Sequence, residues 1–434
     1  MYKDLLVSFC LLFARLYLCK GTEGTASILN IKNWSYYYEL FFRYWHAKTN
    51  HVASLINNTG DVVIRAIKFT NSNEGFNKLL NTIQDKISDL SNVEVAMEAT
   101  GHYWLSLYSA LTDNDFKVSV YNPYQIKSYR GAYNNRKQKN DIIDSIIIAD
   151  YLRVFGAKDS KLPQEDLLSL KQLTRFRTNI VDNVSSLKVQ VIGLLDKVFP
   201  EYKKLFCDTF GTTSKQLLLN CPTPDDIIKI STTKLANLLS KHSKGKFNKD
   251  TALHIKEVAK ESFGIKFTTD ACSFEIKQLI NQIIFLENQI DEVSKEIKEL
   301  YNKLDSHLLS VPGVGINLAP IILAEIGDIN NFDKPSKLIA FAGTDPSENQ
   351  SGNKLSSNDK TSKRGSPYLR HAIYTASLVA ISNEPALRAY YDKKISEGKH
   401  HFVALAGISR KLLTIIYYIL KEDRDYIRYD QINN

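Results

Sequence analysis

Three carboxylates are spaced so that they could meet at one divalent metal. Glu98 closes the apolar run Val93-Glu94-Val95-Ala96-Met97-Glu98, which reads as a buried strand followed at once by Ala99-Thr100-Gly101-His102. The apolar and small neighbours commit that strand to the interior, which makes a plain surface role for Glu98 a poor fit. Asp141 and Asp144 open a helical pattern that runs through Ile147 and Leu152, and their three-residue spacing puts both on one helix face. Taken alone, Asp141 also reads as a helix cap, and Asp144 as a first-turn charge favourable to the helix dipole. The basic stretch Arg136-Lys137-Gln138-Lys139 comes just before them. Acidic oxygens beside phosphate-seeking side chains suggest divalent-metal chemistry on a phosphodiester, in which hard oxygen ligands hold a cation that polarises the phosphate. Lys137 and Lys139, with Lys363, Arg364 and Arg370 further along, are candidate nucleic-acid contacts, weighed against the ordinary reading of a solvated charged face.

The elements that must position these groups follow from periodicity. Val52–Ile56 and Val62–Ile67 are strand-like and flank the turn Asn57-Asn58-Thr59-Gly60-Asp61, which predicts a hairpin. Asn73 is placed to cap a helix through Phe76, Leu79, Leu80 and Ile83. The Glu98 strand comes next, then a helix through Trp104, Leu107 and Leu111, a strand Val118-Ser119-Val120-Tyr121, and the Asp141 helix. Hairpin strands followed by alternating strands and helices predict an α/β domain, and carboxylates at a strand end and on an adjoining helix match a ribonuclease-H-like arrangement.

Downstream the pattern turns helical. Leu170, Leu173, Ile180, Val184, Leu187, Val191 and Leu194 keep a helical spacing that Pro200 ends. Ile276, Leu279, Ile283, Leu286, Ile290, Val293, Ile297, Leu300 and Leu304 step by alternate threes and fours, with Glu287, Asp291, Lys295, Glu296, Lys298 and Glu299 among the flanking residues. This is a coiled-coil seam. It is satisfied either within one chain, against the 165–197 helix, or between chains as a dimer contact. Further on, Ser310-Val311-Pro312-Gly313-Val314-Gly315 separates two helical patterns, the second being Leu318 to Glu325, and reads as a helix-hairpin-helix. Gly313 and Gly315 would let backbone N–H groups approach a DNA phosphate, although the same tetrapeptide also serves as a tight interhelical turn. Phe341-Ala342-Gly343 then leads into a polar loop from Ser347 to Ser366, followed by an Arg370 helix and a last helix, Ser409 to Leu420.

Composition sets the outer limits. A chain of 434 residues has room for two or three domains, and its formal charge of +9 leans towards a polyanionic partner. Five cysteines form no CxxC or Cys/His metal pattern and suit a reducing compartment. The apolar stretch Leu5 to Cys19 resembles a short signal peptide but has no clear small-x-small cleavage site, and it is too short and interrupted to span a bilayer. The expected setting is cytoplasmic and nucleoid-associated, with no membrane partner.

The wording of these segments resembles a known family. Met97-Glu98-Ala99-Thr100-Gly101-His102-Tyr103-Trp104, Asn122-Pro123 and Lys139-Asn140-Asp141-Ile142-Ile143-Asp144 are similar to the N-terminal domain of the DEDD transposases of the insertion sequence 110 family. Val311-Pro312-Gly313-Val314-Gly315, Ala324-Glu325-Ile326-Gly327, Phe341-Ala342-Gly343, Ser351-Gly352 and Lys363-Arg364-Gly365-Ser366-Pro367-Tyr368-Leu369-Arg370 are similar to its C-terminal transposase domain. The resemblance implies a RuvC-like catalytic domain over 48–156, a helical coiled-coil region over 157–304 and a mainly helical C-terminal transposase domain over 305–425, with 1–47 outside the family pattern. It implies that Glu98, Asp141 and Asp144 are the second, third and fourth acids of an Asp-Glu-Asp-Asp cluster holding Mg2+. It also implies that Ser351 is a nucleophile brought to that cluster by the C-terminal loop. A serine before glycine in a polar loop is otherwise a turn residue. Element ends and target DNA are the implied partners, together with homo-oligomerisation as a dimer or tetramer. Some family members are also guided by a structured RNA.

One family residue is missing. The first aspartate belongs on the opening strand, at about Trp45 by alignment from the downstream match, yet Arg43-Tyr44-Trp45-His46-Ala47 contains no acid. An indole cannot replace a carboxylate on Mg2+. If Arg43 is encoded AGA or CGA, a one-base shift of frame yields Asp, Ile or Thr, then Gly. The expectation is therefore that residues 1 to about 47 are read out of frame, and the codon at position 43 tests it. A genuine divergent N-terminus, with Asp61 or another acid substituting, is the competing expectation. The functional reading is a Mg2+-dependent transposase or site-specific recombinase. Its rivals are a catalytically impaired nucleic-acid-binding remnant and a RuvC-like junction nuclease.

Overall fold

The computed structural model describes residues 38–44, 50–99, 104–133, 141–158, 164–346, 350–351, 354–355 and 361–428, with the backbone alone at 38–44, 350–351 and 354–355. Lys137, Lys139, His102, Gly352, Trp45 and the apolar stretch 5–19 lie outside the described residues. The chain divides into two compact units, Met1–Lys161 and Leu162–Asn434.

The first unit is built on a five-stranded sheet of order β3-β2-β1-β4-β5. Its strands are β1 (Tyr38–Tyr44), β2 (Asn50–Asn57), β3 (Val62–Thr70), β4 (Val93–Glu98) and β5 (Lys117–Tyr121). β1 runs antiparallel to β2 and parallel to β4, β2 is antiparallel to β3, and β4 is parallel to β5. The expected hairpin is therefore present, closed by a turn in which Asn57 Oδ1 accepts from the Thr59 and Asp61 amides and Gly60 takes a φ of +90°. β1 is the middle strand and is drawn from the segment placed outside the family pattern. The sheet's core strands are largely apolar and deeply buried: β2 is buried from His51 to Ile56, and Val95, Ala96 and Met97 of β4 have no exposed surface. Such runs suit strands covered on both faces.

Among the described residues, this unit has the helices α1 (Asn73–Gln84), α2 (Trp104–Thr112), α3 (Pro123–Tyr133) and α4 (Asp141–Phe155). The α1 cap differs from expectation. Ser72, not Asn73, is the N-cap, its hydroxyl accepting from the Gly75 amide. α4 packs over β1 and β2. Ser54 of β2 and Ser145 of α4, both buried, share a hydrogen bond of 2.6 Å that fixes the helix on the sheet.

The second unit is helical. α5 (Glu165–Val198) and α10 (Thr269–Asn302) are 34 residues each and lie along one another. Leu170, near the start of α5, shares a core with Ile297 and Tyr301 of α10, while Val191 and Leu194 share another with Cys272 and Ile276, so the pair is antiparallel. The seam residues Ile276, Leu279, Ile283 and Ile297 are buried within the chain; α10 ends before Leu304. Four short helices, α6 (Thr212–Asn220), α7 (Pro224–Lys229), α8 (Thr232–His242) and α9 (Lys249–Lys260), close one end of the pair. At the other end sit α11 (Ala319–Ile326), α12 (Pro335–Ala342), the two-residue strands β6 (Gln350–Ser351) and β7 (Lys354–Leu355), α13 (Pro367–Asn383), α14 (Pro385–Ser396) and α15 (His401–Glu422). Among the described residues, α15 is the one helix long and apolar enough to cross a membrane, and 56% of its apolar window is buried in this core.

Candidate active site

Glu98 is the last residue of β4 and is half-buried, in register with Tyr121 of β5. The parallel pairing of β1 with β4 runs to Phe42 opposite Met97, and β1 continues through Arg43, which pairs with Val52 of β2. The next position in register with Glu98 is therefore residue 43. Asp141 is the first residue of α4 and half-buried, while Asp144, one turn in, has no exposed surface. Burying a carboxylate is costly unless a cation neutralises it. Here Arg130 of α3 supplies one, its Nη2 2.8 Å from Asp144 Oδ1. A second pair braces the same two helices: Asp150 accepts from Tyr129 Oη (2.5 Å) and from Arg153 Nε (2.8 Å). Burial first, then the bond to Asp150, pushes the Tyr129 phenol well above its ordinary range, so it stays a donor. Sequence reading missed Arg130, because nothing in the spacing of α3 and α4 shows which of their residues face each other.

The donor set fits a hard cation, since all three groups offer carboxylate oxygens. Among the described residues, however, no three acidic, histidine or cysteine groups are gathered closely enough to hold a metal. Asp144 is engaged by Arg130, and position 43 carries no acid.

Ser351 lies on β6, paired with Lys354 of β7 in a minimal hairpin. The loop that bears it is clamped at its base. Pro346 bridges to Thr361, the Ser362 amide donates to Asp345 O (2.9 Å), Lys363 N to Gly343 O (3.1 Å) and Ser366 N to Phe341 O (3.1 Å). Two glycines make this approach feasible. A Cβ on Gly365 would fall 1.6 Å from Phe341 O, and one on Gly343, whose φ is +68°, would fall 2.8 Å from Gly365 N. Below the clamp, Glu325 of α11 is 1% exposed and accepts from Arg175 Nε (2.6 Å), Arg175 Nη2 (2.9 Å) and Ser366 Oγ (2.8 Å), with Lys171 Nζ at 3.8 Å. Burial pushes its carboxyl up, but the bonds from Arg175 and Ser366 and the charge of Lys171 outweigh it and hold the pKa below the ordinary glutamate value. Arg175 also stacks on the Tyr368 ring at 4.8 Å. One carboxylate thus ties α5, α11 and the start of α13 to the base of the Ser351 loop.

The candidate nucleic-acid contacts separate into two kinds. Lys363 and Arg364 are exposed, Lys363 in a left-handed conformation at φ 52°. Arg370 is half-buried and donates to Ala342 O at 3.3 Å, a structural bond within the clamp. Gly313 also turns inward: with a φ of +82° it lies against α13, where a Cβ would fall 2.2 Å from Ala376 O. Gly315 faces open space, and its carbonyl accepts from the Leu318 and Ala319 amides at the start of α11. What precedes the hairpin is a single short 3-10 turn, His307–Ser310, in place of a full helix.

A sheet in the order 3-2-1-4-5, with acids at the end of its fourth strand and the start of a helix packed on its middle, is consistent with the RuvC-like class of DNA-processing domain. Residues 46–200 match a family described as Transposase, the DEDD type of IS110, and residues 305–392 match the Transposase IS116/IS110/IS902 family. The chain belongs to this IS110-type transposase family. It is 24% identical over 387 residues, 86% of this chain and 92% of the relative, to a protein of Streptomyces coelicolor titled "Mini-circle putative transposase for IS117". It is 27% identical over 312 residues to the 42 kDa protein of insertion element IS900 from Mycobacterium paratuberculosis, covering 69% of this chain and 74% of that one. It is 25% identical over 359 residues to the pilin gene-inverting protein of Moraxella bovis, covering 82% and 89%.

Proposed function

We propose that this protein is a transposase or site-specific DNA recombinase that cuts and rejoins strands through Ser351. The observation that carries the reading is the placement of Glu98 and the Asp141–Asp144 pair on adjoining elements of a RuvC-like sheet, in a chain whose relatives include transposases and a gene-inverting protein. Glu98, Asp141 and Asp144 would hold Mg2+. A cation held there would supply polarisation of the scissile phosphate and stabilisation of the charge developing on its oxygens. The Ser351 hydroxyl oxygen attacks phosphorus, its proton is lost, and the departing strand oxygen takes one up. A serine–phosphate ester then holds the cut end until the hydroxyl of an incoming strand displaces the serine and joins to it. Exposed Lys363 and Arg364 beside the clamp take backbone phosphates, as do Lys137 and Lys139 before α4. The partners are the element ends and target DNA, and a structured guide RNA is part of the same reading. Assembly as a dimer or tetramer supplies enough active sites for exchange between two duplexes.

The test is strand transfer on a cognate junction. Ser351→Ala is expected to abolish the covalent protein–DNA product while leaving DNA binding within about twofold of the parent. Cutting that survives Ser351→Ala would identify a junction nuclease instead.

A second reading has its own observation. The β1–β4 pairing ends with Phe42 opposite Met97, and residues 43–47, where the first acid of the set belongs, contain no carboxylate. On this reading the chain is an impaired nucleic-acid-binding remnant. Strand transfer by the chain as it stands eliminates it.

A further inference from the structure

We propose that the edge formed by residues 197–204 and 260–267, at the closed end of the α5–α10 pair, is a binding site for single-stranded nucleic acid. Phe263 is the stacking platform for an unpaired base, and the surrounding lysines take the flanking phosphates.

Three observations meet there. Phe263 is 92% exposed and Phe267 69%, so two large rings forgo burial a few residues apart. The loop that displays Phe263 is nonetheless firmly anchored. Glu201 accepts from Ser262 Oγ at 2.7 Å and from the Phe263 amide at 3.2 Å, and the Ile265 amide donates to Lys197 O at 2.9 Å. Gly264 is pressed onto the end of α5, where a Cβ would fall 2.0 Å from Val198 O. Thr268, just past Phe267, takes a left-handed conformation at φ 58°, a strained choice for a β-branched residue. Such anchoring holds the ring out in water instead of letting it fold back.

The third observation is charge. Lys197, Lys203, Lys204, Lys260 and Lys266 are all exposed around this loop, against Asp196, Glu257, Glu261 and Asp270 as exposed acids; the Glu201 carboxylate is turned to the loop. Lys204 lies close enough to help hold the Glu201 carboxyl low, adding to its hydrogen bonds against the opposing effect of burial. The capping segment as a whole, residues 199–268, has twelve lysines against seven acids and so contributes more than half of the chain's formal excess of +9.

An aromatic face between cations offers stacking and phosphate neutralisation together, which suits a strand whose bases are free and not a duplex whose bases are paired. The residues separating the two rings are Gly264, Ile265 and Lys266, with Ile265 half-buried, so no continuous apolar patch is presented to a protein partner. This site is read by binding alone and stands apart from the strand-transfer reading, so either can fail without the other.

The experiment is fluorescence anisotropy of the full chain with single-stranded RNA and single-stranded DNA of about 12 nucleotides, matched in sequence, and with the corresponding DNA duplex. Phe263→Ala and the double variant Phe263→Ala/Phe267→Ala, both at exposed positions, are expected to keep the parent melting temperature. They should lose at least about tenfold in single-strand affinity, with duplex affinity unchanged. Phe263→Trp should retain affinity, and its emission should be quenched by the oligonucleotide. A preference between the RNA and DNA arms identifies the natural source. Unchanged single-strand affinity in both alanine variants, or unmoved emission in Phe263→Trp, overturns the proposal. So does a change of oligomeric state in Phe263→Ala without any effect on binding.

Discussion

Asp144 shows how a single residue joins folding to chemistry. With no exposed surface, it needs a cation, and the fold provides Arg130. A bound metal would compete for the same oxygen. Arg130→Gln is therefore expected to destabilise the metal-free protein by about 3 kcal/mol, because it leaves a buried charge uncompensated. Mg2+ should recover part of that loss, seen as a larger rise in melting temperature with added metal than the parent shows. A variant no less stable than the parent would mean that Arg130 is not the counter-charge. Position 43 is the complementary case. Arg43→Asp sets a carboxylate level with Glu98, and divalent-metal binding, measured by calorimetry with Mn2+, is expected to tighten at least about tenfold. The elements that carry the three acids were legible in the sequence, since a strand end and the start of a helix are local patterns. Arg130 was not, because ion pairs across helices depend on how those helices pack.

At the scale of elements, the glycines carry the difference between pattern and packing. The segment Val311-Pro312-Gly313-Val314-Gly315 announced a turn, and a turn is present, but the pattern treated Gly313 and Gly315 alike, whereas Gly313 packs against α13 and Gly315 faces open space. Gly313→Ala is expected to cost about 2 kcal/mol or more, since its φ is +82° and a Cβ meets the α13 backbone at 2.2 Å. Gly315→Ala should leave stability within about 0.5 kcal/mol, and a weaker grip on DNA in that variant would assign the phosphate role to Gly315 alone. Denaturant melts of the two variants separate these outcomes. The α10 seam was equally legible, as a stripe of threes and fours, yet a stripe does not name its partner; α5 of the same chain covers much of it. The clamp under the Ser351 loop was invisible beforehand, because its parts come from 171–175, 325, 341–343 and 362–370. Its central carboxylate makes a pH prediction. The folded pKa of Glu325 is depressed, so its contribution is present above the unfolded value near 4.3 and is lost as pH falls through the folded one. Glu325→Gln should cost about 2 kcal/mol at neutral pH, less than a fully buried pair because Arg175 is 41% exposed. It should also flatten the acid limb of the stability–pH curve.

At the scale of the whole molecule, the two units carry different halves of the proposed chemistry. The acids belong to Met1–Lys161 and Ser351 belongs to Leu162–Asn434, each unit with its own hydrophobic core. A unit with its own core should fold alone. Residues 164–428, expressed separately, are expected to melt cooperatively and to bind DNA with an affinity that falls steeply with salt, since the basic capping segment and exposed Lys363 and Arg364 all lie within them. They should give no serine–DNA adduct on a cognate junction. Adding the first unit in trans should restore the adduct only at concentrations well above those the intact chain needs, because the chain supplies each unit to the other at a high effective concentration. An adduct formed by residues 164–428 alone would show that Ser351 is activated within its own unit, and the carboxylates at 98, 141 and 144 would then need another role.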